Sequence, residues 1–180
     1  MPCAEEESGK LILGVVRFLS LLREGKGMQI CRITPEKLRS ALDLVWEVFE
    51  EFEVPDYEEM GIQTFRHFIE YSHMVEKVRQ GEMKFWGCYL NNYLVGVVAL
   101  REGQHISLLF VRGRFHHLGI ATHLVEIAVA AVEAQDPKIR AVTVNASPYA
   151  VEFYRKIGFI KLKEEQQADG IRFTPMRKTF

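Results

Sequence analysis

The segment VRGRFHHLGIATHL, residues 111–124, reads as the end of a strand, a loop and the start of a helix. Backbone N–H groups in the first turn of a helix lack partners within the helix, and the helix dipole favours negative charge there. Such a turn can hold a phosphate, and Gly119 permits close backbone approach. Arg112 and Arg114 could add positive charge. Many folds contain such turns without a ligand, so this segment alone leaves phosphate binding open.

The histidines of this segment and the cysteines of the chain do not have the spacing of a metal site. His117 and His123 are six residues apart, which matches neither i, i+3 nor i, i+4 on one helical face. Cys3, Cys31 and Cys88 lack CxxC or Cys/His spacing and are odd in number. We therefore expect no metal, no disulfide framework and a reducing, cytoplasmic setting.

Composition indicates one ordinary domain without a strongly charged partner. The chain has 180 residues, of which 48% are hydrophobic and 26% charged, with a formal net charge of −1. No block of Lys and Arg is present, so we expect neither nucleic acid nor a membrane surface as a partner.

The first 27 residues are apolar but too short for a membrane span. Leu11, Val15, Phe18 and Leu22 recur at helical spacing and draw one apolar stripe. We expect an N-terminal helical extension, residues 1–27, packed on the main domain, residues 28–180, or on a second subunit as a homodimer.

Periodicity along residues 28–180 predicts the order β-α-α-β-β-β-α-β-α-β-β. Thr34-Pro35 predicts a helix start, and Asn91-Asn92 predicts a tight hairpin. A helix between the strands HISLLFV and IRAVTVN predicts that those two strands are parallel, because such a crossover returns the chain in the same direction. The fold class is therefore a mixed α/β sheet, mostly antiparallel.

Two motifs in this frame resemble those of the GNAT superfamily of N-acetyltransferases, of the single-domain bacterial type. The loop is similar to V-x-P-x-Y-[RQ]-G-x-G-[IL]-[GA], with His116, His117 and Leu118 at the Arg/Gln, first Gly and often basic positions. The later stretch VNASPYAVEFYRKIGF is similar to N-x-S-x-x-A-x-x-F-Y-x-K-x-G-F. Its matching residues are Asn145, Ser147, Ala150, Phe153, Tyr154, Lys156, Gly158 and Phe159.

This resemblance implies a GNAT-like sheet whose central parallel strands splay around acetyl-CoA, flanked by about four helices. It implies acetyl-CoA as co-substrate, with the phosphates on the backbone of the loop. Where Gly is usual, His117 removes backbone freedom. The implied cofactor-binding residues are Leu109, Phe110, Val111, His116, His117, Leu118, Gly119, Ile120, Ala121, Asn145 and Tyr154.

The same resemblance implies roles in catalysis. Acetyl transfer to an amine needs a neutral nucleophile and a proton for the leaving thiolate. Tyr154 stands at the position of the family's general acid, and Asn145 would hydrogen-bond the pantetheine arm or a water molecule. Tyr154 could instead be a core aromatic, and Asn145 a residue that forms a turn at a strand end.

The general base is not identified by the sequence. In such proteins the acidic segment after the first predicted helix borders the acceptor pocket. Strict alternation along the strand HISLLFV would also aim two polar side chains at the acceptor. The candidate acceptor-side residues, none ranked as the base, are Glu53, Asp56, Tyr57, His105 and Ser107.

The sequence thus predicts an N-acetyltransferase that moves acetyl from acetyl-CoA to a small-molecule or protein amine. His117 and Leu118 in the loop leave an alternative open, a CoA-binding regulatory module without turnover. A third hypothesis is an interaction module organised by the N-terminal helix, which would bind no cofactor.

Overall fold

A computed structural model describes residues 27–180. The predicted N-terminal extension therefore lies outside the described residues, apart from Gly27. The α-helices in this part are α1 Leu38–Phe52, α2 Glu59–Phe68, α3 Tyr71–Arg79, α4 Ile120–Gln135 and α5 Val151–Lys156. Short 3-10 turns span Pro35–Lys37, Val54–Asp56 and Gly113–Phe115. None of the helices described in residues 27–180 has the length and apolar character that crossing a bilayer requires.

The strands form one mixed sheet. They are β1 Met28–Arg32, β2 Met83–Leu90, β3 Tyr93–Arg101, β4 His105–Val111, β5 Ala141–Ala146, β6 Ile160–Lys161, β7 Gln166–Ala168 and β8 Ile171–Thr179. The order across the sheet is β1-β2-β3-β4-β5-β8-β6, and β7 pairs with β8. The β4–β5 pair is parallel and the other pairs are antiparallel. The predicted fold class is confirmed.

Helices cover both faces of the sheet. Helix α1 packs its buried apolar stripe on one face, together with Ile69 and Met74 from the α2–α3 region. Helices α4 and α5 pack on the opposite face. Strand β3 contributes Val97 to the first core and Val98 to the second, because successive side chains of a strand point to opposite faces. A central strand buried on both faces explains why β3 is a continuous apolar run.

Local turn chemistry explains two features of the fold, of which the hairpin at Asn91-Asn92 was predicted. Asn91 and Asn92 have φ of 48° and 66° and join β2 to β3 as a two-residue hairpin. Gly158 has φ of 94° and follows α5, and Phe159 after it is buried.

Three boundaries differ from the prediction. The single helix expected before Gly81 is two helices, because Glu70 adopts an extended ψ of 129° between α2 and α3. The residues from Pro35 first form a 3-10 turn, and Thr34 makes no side-chain cap hydrogen bond. Three strands, of two, three and nine residues, close the chain where two were expected.

Strand β4 contains a β-bulge at Ser107. Ala99 pairs with Leu108 and Leu100 pairs with Ile106, which leaves Ser107 without a partner on β3. Ile106 therefore packs in the core on the α4 side and Leu108 in the core on the α1 side, although strict alternation would place both on one face. The strict alternation from which the placement of His105 and Ser107 was predicted is therefore interrupted at Ser107.

The β7–β8 hairpin presses directly on α2. A Cβ atom added to Gly61 would lie 2.2 Å from the carbonyl oxygen of Gly170 at the hairpin turn. The Tyr57 hydroxyl donates to the Arg172 carbonyl oxygen at 2.9 Å, and Thr64 Oγ1 donates to the Asp169 carbonyl oxygen at 2.8 Å. These contacts fix the segment between α1 and α2 against the far end of the chain.

We expect Gly61→Ala to lower the free energy of unfolding by about 1–3 kcal/mol, because the added methyl group must push the two backbones apart. The loss exceeds the gain of at most about 1 kcal/mol that Ala brings to a helix interior. Urea denaturation followed by circular dichroism measures the difference.

The matched control is Gln63→Ala, an exposed position on the same helix, where the change should stay within about 0.5 kcal/mol. Equal or higher stability of Gly61→Ala would show that α2 and the hairpin do not touch in solution.

Candidate active site

A cavity of about 470 Å³ opens where β4, α1, α4 and α5 meet. This volume lies in the range typical of small-molecule sites. Most of its wall is apolar or aromatic, with a few polar side chains. The lining residues are Val48, Phe52, Glu53, Leu109, Phe110, Val111, Phe115, His116, His117, Gly119, Ile120, Ala121, Thr122, Tyr149, Ala150, Phe153 and Tyr154.

One wall of the cavity is the edge of β4 that faces β5. The two strands pair only at His105–Thr143 and Ile106–Val144. The Arg112 N–H donates to the Val95 carbonyl oxygen on β3 at 3.0 Å. Because N–H groups alternate sides along a strand, those of Leu109 and Val111 face away from β3, toward the gap. A ligand carbonyl in this gap could accept a hydrogen bond from them.

The loop into α4 forms a cradle of free backbone donors. Within residues 27–180, the N–H groups of residues 117–122 donate to no other group, and the first bond of the helix is His123 N–H to the Gly119 carbonyl oxygen at 3.0 Å. His117 and Gly119 have φ of 60° and 79°, which curls the chain so that these donors converge. Unpaired donors at the N-terminus of a 16-residue helix suit a phosphate group.

Side chains hold this loop in place. The His116 Nε2 lies 2.6 Å from the Val111 carbonyl oxygen, which can only accept, so Nε2 carries the hydrogen. The His116 ring also packs on Phe52, with centroids 4.8 Å apart. Arg112 pairs with Glu47 and is therefore not free to assist a phosphate, whereas Arg114 is exposed beside the loop.

Glu53 is a buried carboxylate in the cavity wall, with only 8% of its surface exposed. Its Oε1 accepts a hydrogen bond of 2.7 Å from the Ser147 hydroxyl. Burial raises the pKa of Glu53 above its ordinary value. The Ser147 hydrogen bond opposes that rise, and the negative charge of Asp56 adds to it. A carboxylate of this kind can take a proton from a group in the cavity.

Tyr154 lines the same cavity and is 3% exposed. Its ring packs edge-on against Phe153 and Phe159, with centroids 5.2 and 5.0 Å apart. In the described part of the chain its hydroxyl has no hydrogen-bond partner. Burial, and then the negative charge of Glu53, raises the pKa of the Tyr154 phenol above its ordinary value. The phenol therefore stays protonated and can act as a donor.

The structure brings together most of the residues that the sequence singled out. One cavity is lined by Glu53, Tyr154, the end of β4 and most of the predicted loop residues, namely His116, His117, Gly119, Ile120 and Ala121. Leu118 does not line it. Asn145 is exposed on β5 and does not line the cavity. Asp56 is also exposed outside it.

The remaining acceptor-side candidates, Tyr57, His105 and Ser107, do not line the cavity. The Tyr57 hydroxyl is engaged by the β8 backbone. His105 lies at the start of β4, roughly 13 Å along the strand from Leu109. There its Nδ1 lies 2.8 Å from Thr143 Oγ1, and burial lowers its pKa to about 4. The Ser107 hydroxyl is buried without a hydrogen-bond partner in residues 27–180.

Sequence reasoning assigned no role to several residues of the cavity. Ser147 was visible in the second motif, but only the fold reveals that its hydroxyl holds Glu53. Phe52 and Tyr149 form an aromatic pair in the wall, with centroids 5.3 Å apart. No spacing pattern in the sequence singles out either residue.

Comparisons with known proteins agree with this geometry. The family model described as an acetyltransferase (GNAT) domain matches residues 53–180. No curated protein matches the chain. Each structural similarity below has under 25% sequence identity and therefore bears on the fold.

A GCN5-related N-acetyltransferase from Rhodopseudomonas palustris superposes with a TM-score of 0.73 at 20% identity, covering 86% of this chain and 97% of the other. The PaiA N-acetyltransferase from Thermoplasma acidophilum, in complex with coenzyme A, gives 0.69 at 18% identity, covering 85% and 99%. A spermidine N-acetyltransferase SpeG chimera from Vibrio cholerae and hSSAT gives 0.59 at 14% identity, covering 86% and 96%.

The family model matches more than half of the chain. Both motifs lie within the matched residues, and both contribute to the walls of one cavity. The chain therefore belongs to the GNAT family of acetyltransferases.

Proposed function

We propose that this protein transfers the acetyl group of acetyl-CoA to a primary amine by direct attack in a ternary complex. One observation carries the proposal. A buried carboxylate, Glu53, and a buried phenol, Tyr154, line the same cavity as the backbone cradle at the start of α4. A proton acceptor, a proton donor and an anion site within one enclosed space are the groups that acetyl transfer requires.

The chain's own groups fit acetyl-CoA. The free N–H groups of residues 117–122 would hold its pyrophosphate, and the gap between β4 and β5 would admit the pantetheine arm. When bound, acetyl-CoA supplies a thioester carbonyl activated for attack. The N–H groups of Leu109 and Val111 would donate to that carbonyl oxygen, and Asn145 on β5 would contact the arm from the other strand.

Glu53 would act as the general base. A primary amine with a pKa near 10 is protonated at neutral pH and must lose a proton before it attacks. The raised pKa of Glu53 makes its carboxylate a stronger proton acceptor than an exposed one, and its negative charge attracts an ammonium group into the cavity. The Ser147 hydroxyl fixes Oε1 and so orients the carboxylate.

Tyr154 would act as the general acid. The departing sulfur needs one proton, and the phenol, whose pKa burial raises further above neutrality, holds one. Over one turnover the amine nitrogen loses two protons, one before it attacks and one as the C–S bond breaks. Glu53 would accept each in turn and pass it to solvent, and Tyr154 would give one proton to sulfur. Solvent restores both groups.

The acceptor is a primary amine of a small molecule or a protein. The similarity to the spermidine N-acetyltransferase chimera supports a polyamine as one member of a test panel, and amino acids, aminoglycosides and peptide amines complete it. The alternative of a CoA-binding regulatory module rests on His117, which has a strained conformation, and on Leu118, which stands at an often basic position of the loop.

We expect Glu53→Gln and Tyr154→Phe each to lower kcat by roughly 100-fold or more, with acetyl-CoA binding retained. Glutamine keeps the size and an oxygen for Ser147 but cannot accept the proton. Because Glu53 is active as a carboxylate, kcat/KM of the wild type should rise with pH through its raised pKa, and Glu53→Gln should lose that rise. Thiol release across the amine panel measures turnover, and calorimetric titration measures binding.

The matched control is Glu50→Gln, an exposed carboxylate on the same helix, which should keep wild-type activity and pH dependence. Tight acetyl-CoA binding by wild type without turnover of any amine would favour the regulatory module. Absence of acetyl-CoA binding would refute both functions.

A separate prediction concerns the cradle. His117 has φ of 60°, a conformation that costs residues other than glycine about 1–2 kcal/mol. His117→Gly should therefore raise the free energy of unfolding by about 1 kcal/mol, part of the relief being offset by the greater freedom of glycine in the unfolded chain. Urea denaturation checks this, and acetyl-CoA affinity should not fall.

His117→Ala provides the control, because it removes the imidazole but keeps the Cβ atom. Equal stabilisation by Ala and Gly would mean that the ring, and not the backbone conformation, is responsible.

A further inference from the structure

The corner between α2 and α3 groups three ligand-type side chains outside the cavity. His67 lies in the last turn of α2, Glu70 lies between the helices, and His73 lies in the first turn of α3. One potential ligand atom from each residue lies within 4.8 Å of the other two. Glu70 Oε2 is 3.4 Å from His67 Nδ1 and 3.7 Å from His73 Nδ1. The two imidazole rings meet edge to face with centroids 4.9 Å apart.

These separations approach those of a metal site. Zinc bonds nitrogen and oxygen at about 2.0–2.1 Å, so the ligand atoms of a tetrahedral ion lie roughly 3.4 Å apart. The distances from Glu70 Oε2 to the two histidine nitrogens, 3.4 and 3.7 Å, are already close to that separation. Small side-chain rotations could bring the ligand nitrogens of His67 and His73 to the same separation without moving the backbone. Two imidazoles and one carboxylate are also a ligand set that zinc uses when its fourth position is open.

The backbone that presents the three residues is held in place. The Glu70 N–H donates to the His67 carbonyl oxygen at 3.2 Å, and the His73 N–H donates to the Glu70 carbonyl oxygen at 3.1 Å. Ile69 and Met74 anchor the corner, since they are 7% and 0% exposed and belong to the core on the α1 side. The ligand side chains therefore project from a fixed corner, which limits the entropy cost of binding an ion.

A second polar group orients the carboxylate. The Ser72 hydroxyl donates to Glu70 Oε1 at 2.8 Å, which leaves Oε2 facing the two histidines. Glu70 is exposed, so its side chain is a carboxylate at neutral pH. Outer hydrogen bonds of this kind fix the ligand geometry in metal sites.

We propose that His67, Glu70 and His73 form a surface site for a divalent transition metal ion, with zinc as the ion that the ligand set and spacing favour. The fourth ligand would be water or a group from another molecule. The ion would fasten the end of α2 to the start of α3. Helix α2 also carries Phe65, whose ring lies 4.0 Å from that of Phe49 and 5.8 Å from that of Phe110 in the cavity wall. The site thus lies on the outer side of a helix that supports the cavity.

The test is calorimetric titration of Zn²⁺ into the full chain at neutral pH, with thermal denaturation in parallel. We expect wild type to bind one zinc ion. His67→Gln and His73→Gln should each weaken the zinc affinity by at least 10-fold. Ser72→Ala should weaken binding roughly 10-fold, because only the orientation of Glu70 is lost. Zinc should also raise the melting temperature of wild type but not of the histidine variants.

Glu76→Gln, an exposed carboxylate on α3 outside the cluster, is the matched control and should bind zinc like wild type. Circular dichroism of each variant establishes that it is folded. The proposal is overturned if wild type binds no zinc, or if both histidine variants bind zinc with wild-type affinity and stoichiometry. The second result would place any bound zinc on other side chains.

Discussion

The separation of β4 from β5 is the constraint on which the site depends. The strands pair over two residues at one end, and β5 completes its hydrogen bonding on its other edge with β8. The N–H groups of Leu109 and Val111 are left without a strand partner. These donors face the cavity, where the carbonyl group of a ligand could accept hydrogen bonds from them. Both strands are anchored in the core on the α4 side, and β4 is also anchored in the core on the α1 side.

The cavity sets the protonation behaviour of its two titratable groups. Burial raises the pKa of both Glu53 and Tyr154, and the charge of Glu53 further disfavours ionisation of the phenol. As the pH rises, the Glu53 carboxyl group therefore ionises first, and the Tyr154 phenol keeps its proton. Environments of this kind give neighbouring titratable groups different roles, and this one suits Glu53 as a proton acceptor and Tyr154 as a proton donor.

The cradle carries a side chain at position 117, where glycine would adopt the left-handed backbone conformation at lower cost in free energy. His117 occupies a left-handed conformation, and His116 closes the loop by its contact with the Val111 carbonyl oxygen and with Phe52. Arg112 pairs with Glu47 on α1 and donates to the Leu94 carbonyl oxygen on β3. The loop is thus held from α1 and β3, while its backbone donors remain free.

Local signals in the sequence determined the order of most elements, the hairpin at Asn91-Asn92, the parallel crossover and the two motifs. These features follow from turn chemistry and from periodicity within a few residues. Only the tertiary structure decided which acidic residue enters the cavity, since Glu53 is held by Ser147, 94 positions away. The bulge at Ser107 and the break at Glu70 also depend on how the strands and helices pack. Contacts between distant segments leave no local pattern, and for that reason the site geometry could not be read from the sequence.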